Sequence, residues 1–234
     1  MRISKLYGKF KNSTAYIVGT GPSLRLFPLD FLKGKPCIGL NQAWRHLPLA
    51  YSITVHPELV LDYQKEKSPN LTTWIVKRKA PMNSLSLDDK NFYVFETGQD
   101  DLGLVKNRTP DKLIISRGIQ CTALDMAARM GAKTIIMVGV DMGSLDGDHH
   151  GHDQHVRFHG VDPDLAYKEY RHHTAKVRKV LRDEFSIDVL TLSPFLGLTA
   201  ADEDYRRLCQ ERNLPKLPPP KDTSPYKREI PKLL

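Results

Sequence analysis

The residues of this chain that could do chemistry stand just past its apolar runs. Thr20 and Ser23 follow Ala15-Tyr16-Ile17-Val18, Asn41 follows Cys37-Ile38-Gly39-Leu40, and His56 follows Ser52-Ile53-Thr54-Val55. Asp141 follows Thr134-Ile135-Ile136-Met137-Val138, Ser193 follows the run over 187–192, and Ser116-Arg117-Gly118 precede a long apolar segment. If the runs are buried parallel strands, right-handed crossovers bring their carboxyl ends to one rim, where these groups converge although far apart in sequence. Hydroxyls, an amide, a carboxylate and a guanidinium in one crevice suit an anionic ligand such as a nucleotide.

Gly19-Thr20-Gly21-Pro22-Ser23 is the sharpest of these features. Its glycines permit a tight turn and close approach of a ligand, Pro22 suits a first helical position, and Ser23 adds a hydroxyl and an amide. The expectation is a strand turning into a helix start, with unpaired amides and the helix dipole facing an anion. It is not a Walker A loop, since no Gly-Lys-Ser/Thr follows, nor a full dinucleotide fingerprint, since Leu24 stands at the third glycine. A purely structural turn fits the same residues.

The other positions are equally two-sided. Asn41 either binds ligand or caps the Ala43-Trp44-Arg45 turn. His56, before Pro57, is either a loop histidine or a substrate contact. Ser116 is either the N-cap of the following helix, with Arg117 solvated beside it, or part of a phosphate grip formed by Arg117 and that helix N-terminus. Asp141 either caps a turn or binds a ribose, a sugar hydroxyl or a metal.

Residues 143–163 are rich in glycine, aspartate and histidine and too long for an ordinary connection, which marks a lid. Among Asp146, Asp148, His149, His150, His152, Asp153, His155 and His159 the spacing matches no closed zinc pattern and no cysteine joins them, so no metal site is assigned. A histidine titrating near neutrality on a closing loop suits general-base work, and His155 and His159 are the candidates.

These groups need a scaffold, and the rest of the chain supplies one. Apolar stretches over 15–18, 36–40, 51–55, 72–76, 92–95, 134–138 and 187–192 read as strands; 58–65, 119–130 and 165–185 read as helices. The segment 119–130 is apolar nearly all round and ends at Gly131, the pattern of a buried crossover helix. The alternation implies an α/β fold, Rossmann-like and doubly wound, with a mostly parallel sheet and the polar lid. One nucleotide-binding domain is expected over 1–212, closing with a helix over 201–212, and a Pro/Lys-rich extended tail over 213–234. Residues 1–12 read as a basic lead-in.

Composition narrows the partners. In 234 residues, Lys and Arg number 35 against 27 Asp and Glu, a net charge of +8 that suits anionic ligands or a solvated basic surface. No interleaved aromatics accompany the basic residues, so nucleic acid is not the expected partner. No apolar run approaches bilayer length and no charged-then-apolar leader opens the chain, so a cytoplasmic protein without a membrane span is expected. Cys37, Cys121 and Cys209 are odd in number and scattered, as free thiols in a reducing compartment would be. A homo-oligomer is left open.

Ile-Val-Gly-Thr-Gly-Pro-Ser-Leu at 17–24, Gly-Leu-Asn-Gln at 39–42, Ser-Arg-Gly at 116–118 and Ile-Ile-Met-Val-Gly-Val-Asp at 135–141 stand in an order that resembles two groups. One is the bacterial family-42 sialyltransferases, which use CMP-sialic acid; the other is the 6-hydroxymethylpterin diphosphokinase MptE-like proteins. The resemblance covers about residues 14–195. It implies that Gly19, Thr20, Gly21, Pro22, Ser23 and Asn41 hold the nucleotide phosphate and sugar, and that Ser116, Arg117 and Gly118 lie near the donor's phosphate or carboxylate. It also implies that a lid histidine deprotonates the acceptor. The chain departs from the sialyltransferases at Thr20 and His56, where they carry asparagine. It departs again at Gly143, near their phosphate-stabilising tyrosine, for which Tyr167 or Tyr170 would have to substitute.

The sequence therefore reads as a transferase that takes a nucleotide-activated donor, foremost a glycosyltransferase needing no cofactor, with a small molecule or glycan as acceptor. Arg117 and His155 or His159 are its catalytic candidates, and Gly19, Thr20, Gly21, Pro22, Ser23, Asn41, His56, Ser116, Gly118, Asp141 and Ser193 its binding candidates. The alternatives are pyrophosphoryl transfer from ATP, which would require Mg²⁺ with Asp141 and a lid aspartate as ligands, and a non-catalytic nucleotide-binding protein.

Overall fold

A computed structural model describes residues 1–66, 72–78, 92–98, 109–115, 118–142 and 163–192. The strands are β1 Thr14–Val18, β2 Cys37–Leu40, β3 Tyr51–Thr54, β4 Thr73–Lys77, β5 Phe92–Thr97, β6 Lys112–Leu113, β7 Thr134–Val138 and β8 Asp188–Thr191. The α-helices are α1 Glu58–Glu66, α2 Ile119–Arg129 and α3 Pro163–Phe185. The expected strands and helices are present within a residue or two, and β6 is an addition that the sequence pattern did not reveal. The helix expected over 201–212 and the tail over 213–234 lie outside the described residues, as do 143–162.

Among the described residues the sheet has eight strands in the order β6-β5-β4-β3-β2-β1-β7-β8, and every pair is parallel. The fold is α/β, Rossmann-like and doubly wound. The strands lack polar alternation because both faces are covered. Ile17, Ile38, Ile53, Ile75, Ile135 and Val189 point to the layer holding α2 and α3. Tyr16, Val18, Trp74, Val76, Ile136 and Leu190 point to the opposite layer, with Leu24, Trp44 and Val60. There α1 lays Tyr63 edge-on between Trp44 and Trp74, at 5.1 and 5.5 Å between ring centroids.

Two expectations are corrected. The lead-in over 1–12 is basic in charge but part of the core: Ile3, Leu6 and Phe10 are buried, and Arg2 bridges to Val94 beside β5. Its amides also cap α2, with Gly8, Phe10 and Asn12 donating to the carbonyls of Arg129, Met130 and Gly131. And β1 does not run into an α-helix. The segment Pro22–Leu26 is a single five-residue 3-10 turn. By contrast α2 closes as expected: Gly131 takes φ +94°, and the amides of Gly131 and Ala132 return to Ala128 and Ala127.

The strand order locates the site. From β1 the chain steps outward to β6, then crosses back through α2 to β7 on β1's other side. The order therefore reverses between β1 and β7, and a crevice opens at the carboxyl ends of those two strands.

Candidate active site at the switch point

A pocket of about 120 Å³ occupies that crevice. Gly19, Thr20 and Gly21 contribute the end of β1; Leu40 and Asn41 the end of β2; Gly139, Val140, Asp141 and Met142 the end of β7. Ile119, in the first turn of α2, and Tyr167 and Tyr170, on one face of α3, complete the wall. Five of the sequence candidates thus share one pocket: Gly19, Thr20, Gly21, Asn41 and Asp141.

Asn41 is held as a donor. Its backbone takes φ +49°, a left-handed conformation that asparagine tolerates better than most residues, and its amide N–H donates to Ile53. Thr54, fully buried at the end of β3, donates its hydroxyl to Asn41 Oδ1 at 3.0 Å. That contact orients the side-chain amide and leaves its NH₂ as the group offered to the pocket. Asn41 does not cap the following turn, whose N-cap is Gln42. Thr54 also accepts from the His56 amide, but the His56 ring pairs with Glu58 at 3.1 Å on the surface and does not line the pocket.

The Gly-Thr-Gly-Pro-Ser turn is the main correction. Its amides were expected to face a ligand anion, and most serve the protein instead. Gly19 donates to Val138, Gly21 to Gly139 at 2.7 Å, and Leu24 to Gly21; Pro22 has no N–H. Ser23 donates its amide to Asp141 Oδ2 at 2.6 Å, and its hydroxyl to Asp141 Oδ1. The glycines have the same cause. A Cβ on Gly19 would lie 2.2 Å from the Gly139 carbonyl oxygen, and one on Gly21 would lie 2.6 Å from Asp141 Oδ2. They are glycines because β7's end presses on them, a reason that a single sequence does not display. Asp141 is 2% exposed and caps the turn of another strand, not its own.

At the start of α2 the N-cap is Gly118, so Ser116 is not the cap. Gly118 is extended, and the Gln120 side chain folds back over it to donate from Nε2 to Thr174 at 3.3 Å. No side chain caps the helix there. Further along, Asp125 and Arg129 form a buried ion pair at 2.7 Å. Asp125 also accepts from the Ile114 amide, Thr122 donates to the Ile114 carbonyl, and Arg129 donates to Tyr7 Oη and the Thr109 carbonyl. Burial pushes the Arg129 guanidinium down, but Asp125 and the Tyr7 hydroxyl outweigh it and hold its pKa above the ordinary value. This network anchors the chain immediately before position 116.

The tyrosine wall is set by α3. Arg171, 9% exposed, donates to the Met142 carbonyl at 3.1 Å, and Thr174 bonds back to the Tyr170 carbonyl at 2.7 Å. These contacts seat α3 over the end of β7, with Tyr167 and Tyr170 edge to face at 6.3 Å. Thr54, Arg171 and Met142 were missed by sequence reasoning. Of these only Thr54 left a signal, as the polar residue at the tip of an apolar run. Pro22, Ser23, His56 and Gly118 lie off the pocket wall. Ser116, Arg117, His155, His159 and Ser193 lie outside the described residues.

No protein-family model matches the chain, and no curated protein sequence does. Two solved structures of the sialyltransferase CstII from Campylobacter jejuni are similar to it. The one in complex with the substrate analogue CMP-3FNeuAc aligns at TM-score 0.42 and 14% identity, over 88% of this chain and 86% of that one. The one with cytidine-5'-monophosphate aligns at TM-score 0.42 and 15% identity, over 90% and 86%. Among the described residues no helix is long and apolar enough to cross a membrane.

Proposed function

We propose that the protein is a glycosyltransferase that takes a nucleotide-activated sugar in the pocket between β1 and β7. The observation that carries this reading is the convergence at the strand-order reversal: Thr20, Asn41, the first turn of α2, Tyr167 and Tyr170 all border one crevice. The order of the motifs at 17–24, 39–42, 116–118 and 135–141, which resembles family-42 sialyltransferases, supports the same class.

In the proposed reaction the acceptor hydroxyl oxygen forms a bond to the anomeric carbon while the bond from that carbon to the nucleotide phosphate oxygen breaks. The bonding pair leaves on the phosphate. Arg117, the N-terminus of α2 and the two phenols are the groups assigned to that growing charge. Tyr167 and Tyr170 are the substitutes for the missing tyrosine near Gly143. The acceptor's proton passes to His155 or His159. Support for a base from that segment is its attachment: it joins Met142 to Pro163, and Met142 and Tyr167 both line the pocket.

A thermal-shift panel of CMP, UDP, GDP, ATP and their sugar conjugates tests the reading, since a ligand that binds the folded state raises the melting temperature. At least one nucleotide-sugar is expected to shift the wild type and to shift Asn41→Ala less. No shift with any member removes the proposal. Transfer is expected to survive EDTA. Loss of activity on chelation would favour pyrophosphoryl transfer, for which Asp141 is an awkward Mg²⁺ ligand because Ser23 already engages both its oxygens.

A further inference from the structure

The Gly19–Ser23 turn has the form of an anion site, and an anion of the protein already fills it. Two donors of Ser23 meet the two oxygens of Asp141, and the Cα of Gly21 lies where any Cβ would strike that carboxylate. The cradle is buried: Ser23 is 1% exposed and Asp141 2%. The amides on either side, those of Gly21 and Leu24, are committed to Gly139 and Gly21 carbonyls. A ligand phosphate placed here would have to displace the carboxylate or lie against it, and two like charges in contact away from water repel strongly.

We infer that Asp141 is a specificity and positioning residue: as the turn's resident anion it keeps a ligand phosphate away from Gly19–Ser23, so the part of the ligand against β1 is uncharged, a sugar or base bearing hydroxyls or amides. The same bonds tie the end of β1 to the end of β7 and so set the gap that Thr20 and Asn41 face. The ligand's phosphate is thereby left to the part of the pocket away from the turn. This second half rests on the nucleotide reading given above; the carboxylate-filled cradle does not.

The two halves are tested separately. Asp141→Ala vacates the cradle, so formate or inorganic phosphate is expected to refill it. Either anion should raise the melting temperature of that variant saturably, by about 3 °C or more beyond the shift it gives the wild type, relative to chloride at equal ionic strength. A folded Asp141→Ala that gains nothing from either anion overturns the cradle. Ser23→Ala, a smaller change, decides the ligand half even if Asp141→Ala does not fold. The affinity ratio of CMP to cytidine is expected to change by less than about threefold, because Ser23 serves Asp141 and not the phosphate. A larger fall in that ratio would put the phosphate on Ser23 and overturn the inference. In Asp141→Ala the ratio should instead rise, which a merely structural role would not produce. If no nucleotide binds the wild type while formate still rescues Asp141→Ala, the nucleotide reading fails and the cradle stands.

Discussion

Asp125 and Asp141 are both buried carboxylates, 1% and 2% exposed, yet they sit in opposite kinds of surroundings. Asp125 faces a guanidinium one helical turn away, and the pair is enclosed by Tyr7, Thr109 and Ile114. Asp141 accepts from the hydroxyl and amide of one serine and forms part of a pocket wall. The first joins α2 to the segments packed round it. The second joins the two strand ends between which a ligand is proposed to lie. A buried acid is thus not a functional signal by itself; its partner and its distance from a crevice decide what it does.

The contrast can be broken by experiment. Arg129→Met should have the largest effect on stability, about 3–5 kcal/mol in chemical denaturation, because it strands the Asp125 charge in the core. A loss under about 1 kcal/mol would mean that Asp125 is not held there as an anion. Adding Asp125→Leu to Arg129→Met should recover much of the loss, since an apolar pair desolvates no charge. Asp141→Asn should cost less, about 1–3 kcal/mol, while moving ligand affinity more than Arg129→Met does in the folded fraction. Equal effects of the two on ligand affinity would mean that the two carboxylates do not differ in their bearing on the pocket.

Thr54→Val sharpens the pocket side of the comparison. It removes the hydroxyl that orients Asn41, so stability should fall by about 1 kcal/mol and nucleotide affinity several-fold. The smallest effect should come from His46, which touches neither carboxylate network. Burial, helped by the neighbouring Arg45 charge, holds its pKa below 6.5 in the folded protein. The unfolded chain therefore takes up this proton first. Its contribution is intact above pH 6.5 and is lost as the pH falls below that value towards the folded-state pKa. Stability measured between pH 7 and 5 should drop less in His46→Gln than in the wild type.

How much of this was legible beforehand differs between scaffold and site. Apolar runs without alternation identified the parallel strands, and the all-round apolar 119–130 segment ending at Gly131 identified α2, because burial on both faces and a glycine C-cap are written into local composition. Thr20, Asn41 and Asp141 were recognisable as rim residues for the same reason: each is the polar residue that ends a buried run. Those features belonged to the sequence alone. Only tertiary structure decided what each rim residue faces. The Ser23–Asp141 bond spans 118 positions, and the Thr54–Asn41 bond depends on β2 and β3 being neighbours in register. Gly19 and Gly21 looked like room for a ligand; they line the pocket, and they also make room for Gly139 and Asp141, since a glycine records that something comes close without recording what. Nor could the sequence show that, at the short 3-10 turn after Gly21, the amides of Gly21 and Ser23 are met by the Gly139 carbonyl and the Asp141 carboxylate from the far side of the sequence.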